Sequence, residues 1–367
     1  MKRIICTVSN DLNFDQRMIR ICTTLASAGF QVQLLGRELP DSKPLEQYVF
    51  AQKRLKLRFH RGKFFYLELN LRLFFQLLFS SCDIIYAVDL DTLVPGRLVA
   101  KLRGKHLVYD AHEYFSEVPE LMERPIAKRI WEIAARLCIP GIRHAMTVCE
   151  SLAKVLADRY GVHFEVIRNV PFRREDLPSA SSKPDKFTIL YQGVLNDGRG
   201  LEESILAMKS LPDAELWICG EGDISAALKE MTVKNGLGYQ VKFLGKLPPE
   251  ALSRLTKQAD VGLNLLKNKG LNYYYSLANK AFDYIQAGLP SIGMKFPEYI
   301  RLQEEYGVFH LLDDLSPQQV ADAVNHLRSD RKYYETLAAN CRAAAKSLNW
   351  QLESQKLLRI FDAMGKS

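Results

Sequence analysis

Seven cysteines in 367 residues form no Cys-x-x-Cys pair, and none is spaced with histidine as metal ligands are. An odd, scattered set argues against a disulfide framework and for a reducing cytosol. There is no low-complexity tract, no HExxH and no GxGxxG. A zinc protease therefore has no support, and neither has a plain dinucleotide fingerprint. Long uncharged apolar runs are missing too. The best candidate, "FFYLELNLRLFFQLLFS" (64–80), contains Glu68, Asn70 and Arg72 and is not a transmembrane helix. "MKRIICTVSND" has an apolar run but no small-residue cleavage site, so it is read as a first buried strand rather than a signal peptide.

What is present is a soluble globular composition, 47% hydrophobic and 25% charged, on a chain long enough for two domains. Strand and helix signals alternate. "RIICTVS", "QVQLLG", "DIIYAVD", "HLVYDA", "AMTVCE" and "EVIRNV" are apolar strands with helical segments between them. "PFRREDLPSASSKPDK" (171–186) interrupts the alternation as a polar linker. It resumes with "FTILYQG", "AELWICG", "QVKFLG", "DVGLNLL" and "PSIGM", and helices occupy 316–347 and 351–364. This is the α/β pattern of two Rossmann-like parallel-sheet domains facing across a cleft. The expected domains are 1–171, a linker at 172–186, 187–348, and a C-terminal helix at 349–367 packing back on the N-terminal domain.

The net charge of +8 is concentrated in part in "QKRLKLRFHRGK" (52–63), just before the apolar run. Two readings stand: a basic surface strand with a buried helix behind it, or a basic and apolar face resting on an anionic membrane. Nucleic acid is not expected, because no binding module accompanies the charge.

Ligands of such sheets sit beyond the carboxyl ends of the strands, so the residues after strands matter most. In "NYYYSLANKAFDYIQAGLP" (272–290), Asn279 and Lys280 fall in a helix first turn, where a cation is unfavourable unless an anion joins it. Arg199 stands between Gly198 and Gly200 after another strand, either as a solvated turn residue or as part of an anion site. Two cationic helix starts in one domain suit a diphosphate. Asp283, one turn deeper, either accepts bonds from a ribose diol or pairs with Lys280. Gly220 and Gly245 follow strands and would let the backbone approach a flat base, or simply turn. In the first half, His112 and Glu113 close the strand ending at Asp110. His112 is either a capping residue or a group that bonds a substrate hydroxyl. Asn10, after the first strand, can approach a ligand, whereas Asp15 and Arg17 are expected to fix the loop and helix start.

These segments, above all "YQGVLNDGRGLEE", "ICGEGD", "ADVGLNLL" and "YYSLANKAFDYIQAGLP", resemble the retaining GT-B glycosyltransferases of family 4. The last is similar to the "SLPNK-x-F-[DE]-Y" version of the donor motif, and the resemblance covers nearly the whole chain. It implies transfer of a sugar from a nucleoside-diphosphate donor with retention, without metal or other cofactor. Arg199, Lys280, Asn279 and Ala278 would hold the diphosphate and Asp283 the ribose. Gly220, Glu221 and Leu244 would form the base pocket. His112 would be the catalytic histidine at the donor sugar, and Asn10, Glu113 and Tyr275 would face the donor sugar or acceptor. Four features depart from the pattern: Tyr275 replaces the first carboxylate of the motif, Val194 replaces its usual arginine, Ala278 stands where the subgroup often has proline, and "SNDLN" replaces the first-half glycine-rich loop.

The implied partners are a nucleotide-sugar and a glycan or lipid-linked acceptor in surface polysaccharide or glycoconjugate synthesis. The implied location is cytoplasmic, on the inner face of the membrane, with contact through 52–80. Two alternatives share the architecture: a non-hydrolysing sugar-nucleotide 2-epimerase and a non-catalytic GT-B subunit.

Overall fold

The computed structural model describes residues 1–173 and 185–365. Residues 174–184, the body of the expected linker, lie outside the described residues. Two compact units emerge: Met1–Asn169 together with the chain from Glu353 onward, and Val170–Leu352.

The first unit contains β1 (Arg3–Thr7), α1 (Gln16–Ser27), β2 (Gln31–Glu38), β3 (Ala51–Lys56), α2 (Gly62–Leu78), β4 (Ile84–Val88) and α3 (Asp89–Arg103). β5 (His106–Ala111), α4 (Pro119–Met122), α5 (Pro125–Cys138), β6 (His144–Thr147), α6 (Glu150–Tyr160) and β7 (Phe164–Val166) follow. The seven strands are parallel, in the order β3-β2-β1-β4-β5-β6-β7. Central strands such as "IIYAV" are buried along their whole length. That is why they read as continuous apolar runs rather than alternating ones.

The second unit repeats the design with β8 (Phe187–Gln192), α7 (Leu201–Ala207), β9 (Ala214–Cys219), α8 (Ser225–Lys234), β10 (Val241–Gly245), α9 (Pro249–Gln258) and β11 (Val261–Asn264). α10 (Leu271–Tyr274), α11 (Asn279–Ala287), β12 (Ser291–Met294), α12 (Pro297–Tyr306), β13 (Phe309–Leu312), α13 (Pro317–Ser329) and α14 (Arg331–Ala344) complete it, and the last helix, α15 (Trp350–Gly365), starts here but belongs to the first unit from Glu353 onward. Its parallel sheet runs β10-β9-β8-β11-β12-β13. In both sheets the strand order reverses beside the first strand of the unit, which creates a crevice at the carboxyl ends.

Two readings are corrected. The apolar run at 64–80 is not a buried helix. Phe65, Leu69, Leu73 and Leu77 pack inward, while Phe64, Leu67, Leu71, Phe75 and Phe79 are all more than half exposed. A helix that is apolar all round cannot bury both faces against one sheet. The segment 272–290 is not one helix either: α10 ends at Tyr274, and α11 starts afresh at Asn279. α12 and β13 had no counterpart among the expected elements. β13 has only four residues and sits at the sheet edge, too short for a clear alternation.

α15 closes the chain on the first unit. Phe361 stacks with Tyr86 at 6.1 Å and meets Phe30 edge-on at 5.8 Å. Glu353 accepts from the Arg168 backbone N–H at 3.0 Å and from its Nη1 at 3.3 Å.

Candidate active site

Three glycines end three adjacent strands of the second unit. Gly193 follows β8, Gly220 follows β9 and Gly245 closes β10, all at positive φ. Their backbones are linked: Gly193 N donates to Cys219 O at 2.9 Å, and Gly220 N donates to Gly245 O at 2.8 Å. A Cβ on Gly220 would lie 1.8 Å from Gly193 O. No side chain fits there, so the strand ends form a flat backbone shelf. Leu244 and Glu221 stand on it. Leu244 packs on a core of Leu190, Trp217, Cys219 and Tyr284. Glu221 is open to solvent and held low in pKa by Ser225 and by Lys229, 3.6 Å away.

Lys280 reaches the same place from α11. Its Nζ lies 3.5 Å from the centre of the Tyr191 ring, and a Cβ on Gly193 would meet it at 3.4 Å. Lys280 is 9% exposed, and no carboxylate among the described residues lies within 4.0 Å of it. Loss of water around the ammonium pushes its pKa well down, the charge of Arg199 adds to this, and only Asp283 opposes them. The ring face favours the cation by about 0.5–2 kcal/mol, less than full desolvation removes. Ala278, the N-cap of α11, offers no side-chain acceptor, and its own N–H donates to Tyr299 Oη at 3.2 Å. The positive end of the helix thus lies beside an amine with no carboxylate within 4.0 Å among the described residues.

Arg199 is not a solvated turn residue. Its guanidinium lies 4.8 Å from the centre of the Tyr273 ring, and its buried Nε has no hydrogen-bond partner among the described residues. Asp283 does not bridge to Lys280. Its Oδ2 accepts from Gln192 Nε2 at 2.9 Å, and Gln192 Oε1 accepts from Thr256 Oγ1 at 2.9 Å. Asn279 is exposed beside it. Tyr275 caps α10 and packs edge-on against Tyr274 at 5.1 Å.

The first unit gathers charges at its own crevice. Asp110, next to last in β5, is fully buried and accepts four bonds. Arg17 Nη2 and Nε reach it at 2.9 and 3.1 Å, Tyr86 Oη at 2.7 Å and His112 Nε2 at 2.8 Å. Arg17 Nε also lies 3.0 Å from His112 Nε2. Two N–H groups cannot bond each other, so the Asp110 carboxylate takes both protons. Burial would raise the Asp110 pKa, but Arg17 and His112 outweigh it and hold the group ionised far below the usual range. His112 responds in the opposite sense. Burial alone would lower it, yet Asp110 and Asp89 lift its pKa to about 8.

Asp89, the first residue of α3, has φ +54° and is the one described non-glycine residue with positive φ. Its Oδ1 accepts the His112 backbone N–H at 2.8 Å, which explains why the strain is kept. Glu113 is half-buried next to His112, and Asn10 is exposed, donating to Asp15 Oδ2 at 2.9 Å. Asp15 caps α1 as expected, through Met18 N at 2.9 Å. Arg17 does not fix that loop: it crosses the sheet to Asp110 and to Ile167 O at 2.7 Å.

The structure therefore brings Lys280, Arg199, Ala278, Asn279, Asp283, Gly220, Glu221 and Leu244 to one unit and His112, Glu113 and Asn10 to the other. Sequence reasoning missed Tyr191, Gln192, Thr256, Asp89 and the role of Arg17. Tyr191 and Gln192 sit inside the "YQG" that drew attention only for its glycine.

Residues 172–347 match the model of Glycosyl transferases group 1, and residues 16–171 match that of Glycosyltransferase Family 4. An uncharacterized glycosyltransferase of Methanocaldococcus jannaschii, MJ1607, is 24% identical over 198 residues, 52% of this chain and 48% of that protein. The chain thus spans about half the length of that curated relative. Sucrose-phosphate synthase from Thermosynechococcus elongatus is similar in structure, with a TM-score of 0.81 and 15% identity over all of both chains. HepE of Anabaena, solved with UDP and glucose, has a TM-score of 0.78 and 16% identity over 99% of this chain and 100% of its own. With both halves matched in order and the fold shared, the chain belongs to the group 1 glycosyltransferases of GT-B fold.

Proposed function

We propose that the protein is a retaining glycosyltransferase that moves a sugar from a nucleoside-diphosphate donor to a glycan acceptor, in surface polysaccharide or glycoconjugate synthesis. The observation that carries this reading is Lys280: a buried amine at a helix N-terminus, beside Arg199, with no carboxylate among the described residues within 4.0 Å. A diphosphate supplies the missing charge. Arg199, Lys280, Asn279 and the first-turn N–H groups after Ala278 bind it. The fixed positive charge stabilises the leaving group, a task that elsewhere falls to a metal ion. Asp283, oriented by Gln192, takes the ribose. The glycine shelf, with Gly220, Glu221 and Leu244, takes the base. His112, held by Asp110 and Asp89, hydrogen-bonds the donor sugar, and Glu113, Asn10 and Tyr275 contribute around sugar or acceptor.

In the reaction, the bond from the anomeric carbon to the diphosphate breaks. The acceptor oxygen bonds that carbon on the same face, and its proton passes to a donor phosphate oxygen as the nucleoside diphosphate leaves. No step needs a metal or other cofactor. HepE, crystallised with UDP and glucose, supports a UDP-type donor. The basic and apolar stretch 52–80 rests on the cytoplasmic membrane face and brings the enzyme to a lipid-linked acceptor; α2 supports this by exposing five large apolar side chains along 64–79.

A thermal-shift panel of UDP-, GDP- and ADP-sugars tests donor binding, since a ligand of the native state raises its stability. One donor should stabilise the protein, and transfer should survive chelation by EDTA. Full transfer by Arg199→Ala or Lys280→Ala would sink the assignment of the diphosphate site. UDP-N-acetylglucosamine epimerised without acceptor would replace the transferase with an epimerase.

A further inference from the structure

α5 is packed inside out. Ile126, Ile130, Ile133 and Leu137 recur at i, i+4, i+7 and i+11, a single helical stripe, and each is at least 50% exposed. The inner side of the helix rests on Ala127, Ala134, Ala135 and Trp131, of which only Ala135 is fully buried. An ordinary surface helix turns its branched apolar residues inward and its small or polar ones outward. Here the arrangement is reversed.

This stripe does not stand alone. Trp131 meets Tyr66 of α2 edge-on at 5.0 Å, so α5 adjoins the helix that exposes Phe64, Leu67, Leu71, Phe75 and Phe79. α3 packs against both helices and adds exposed Leu98 and Leu102. An apolar surface shared by three neighbouring helices exceeds the scattered single residues that need no explanation.

The charges around it select the occupant. Arg124, Arg129 and Arg136 are exposed at α5, Lys101 on α3, and Lys53, Lys56, Arg58, Arg61 and Lys63 at the approach to α2. The acids in the same elements are mostly engaged: Glu132 with Arg159 at 3.5 Å, Glu117 with Lys128 at 2.8 Å and Glu68 with Arg72 at 2.8 Å. Glu120 and Glu123 are the exposed exceptions, at α4. Apolar side chains flanked by unneutralised arginines and lysines complement anionic headgroups over acyl chains. A second copy of the same face would bring like charges together.

We infer that α5 is a second lipid-bearing element, which with α2 seats the first unit on an anionic bilayer. This rests on the membrane reading of 52–80 and extends it to a segment that reading did not include. The test is vesicle flotation of the full chain with phosphatidylglycerol–phosphatidylcholine mixtures or phosphatidylcholine alone, at low and high salt. The wild type should float with the anionic vesicles at low salt and be released by high salt. The pair Ile130→Glu and Ile133→Glu should reduce binding by on the order of tenfold or more, because each buried aliphatic side chain is worth that much. Arg129→Gln with Arg136→Gln, which keeps the apolar stripe, should lower binding and flatten its salt dependence. UDP binding should not change in either variant.

If both α5 variants float like the wild type while Leu71→Glu with Phe75→Glu does not, the α5 inference falls and the 52–80 reading stands. Failure of the wild type to float at either salt overturns both. A concentration-dependent dimer that only the α5 variants dissolve, with lipid binding intact, makes a second copy the occupant and overturns the lipid assignment.

Discussion

Lys280 Nζ stands 3.5 Å above the centre of the Tyr191 ring, and the hydroxyl of that ring donates to Val194 O at 2.8 Å. The tyrosine is therefore pinned, and the lysine has a fixed position before any ligand arrives. Burial and Arg199 depress its pKa, so a bound diphosphate must raise it again.

Nucleotide binding should then take up a proton. Affinity should be highest at low pH and fall as pH rises through the bound-state pKa of Lys280, because only the ammonium form pairs with phosphate. Calorimetry with UDP over a series of pH values, in buffers of unlike ionisation enthalpy, should give unlike apparent enthalpies across the range where the free and bound forms differ in protonation. Lys280→Met should remove the difference and weaken binding by on the order of a hundredfold. Equal enthalpies for the wild type in all buffers would refute the linkage.

Gly220→Ala should damage the fold itself. Its Cβ would fall 1.8 Å from Gly193 O at φ +140°. We expect a loss of at least about 3 kcal/mol and a melting point lower by roughly 6–12 °C. Gly236→Ala is the control: it also has positive φ, +69°, but nothing within 4 Å, so only backbone strain of about 1–2 kcal/mol should appear. Similar costs at the two positions would disprove the backbone shelf.

Asp110→Asn leaves Arg17 buried without its carboxylate, and such half-pairs cost about 3–5 kcal/mol. His112 should lose its lift and titrate below about 8. The sign follows from the raised value. In the wild type, protonated His112 adds stability below its ordinary value of 6.5, and this is lost as pH rises to about 8. Urea unfolding at both ends of that range, with an NMR titration of the His112 ring, measures both effects. An unchanged His112 titration in the variant would show that Asp110 is not its anchor.

The sheets were legible because buried parallel strands are nearly pure apolar runs, and "HLVYDA" coincides with β5. Lys280 was legible because it violates a local charge rule, a signal that needs no long-range knowledge. Arg17 was not. Its partner Asp110 is 93 residues away, and a local pattern suggested only a helix start. The strain at Asp89 was hidden too, since nothing in "DLDT" announces a positive φ held by a bond to His112. α2 misled because its apolar content is real but only half of it is buried.

Phe361→Ala should cost about 3–5 kcal/mol by opening a cavity between Phe30 and Tyr86. The loss should appear in the unfolding of the first unit, followed by the NMR signals of its buried tyrosines. UDP affinity, which the proposed site places in the second unit, should stay level. A variant as stable as the wild type would mean that α15 is dispensable there.

The same helix sets an order of events at the ribosome. Phe361 is translated long after its partner Phe30, with the whole second unit between them. Domains that are contiguous in sequence can fold as they emerge. The first unit cannot finish that way: its core must wait, with one place open, until the whole second unit has been translated. A nascent chain stalled before residue 353 would carry that unfilled place throughout, a natural point for a chaperone to engage.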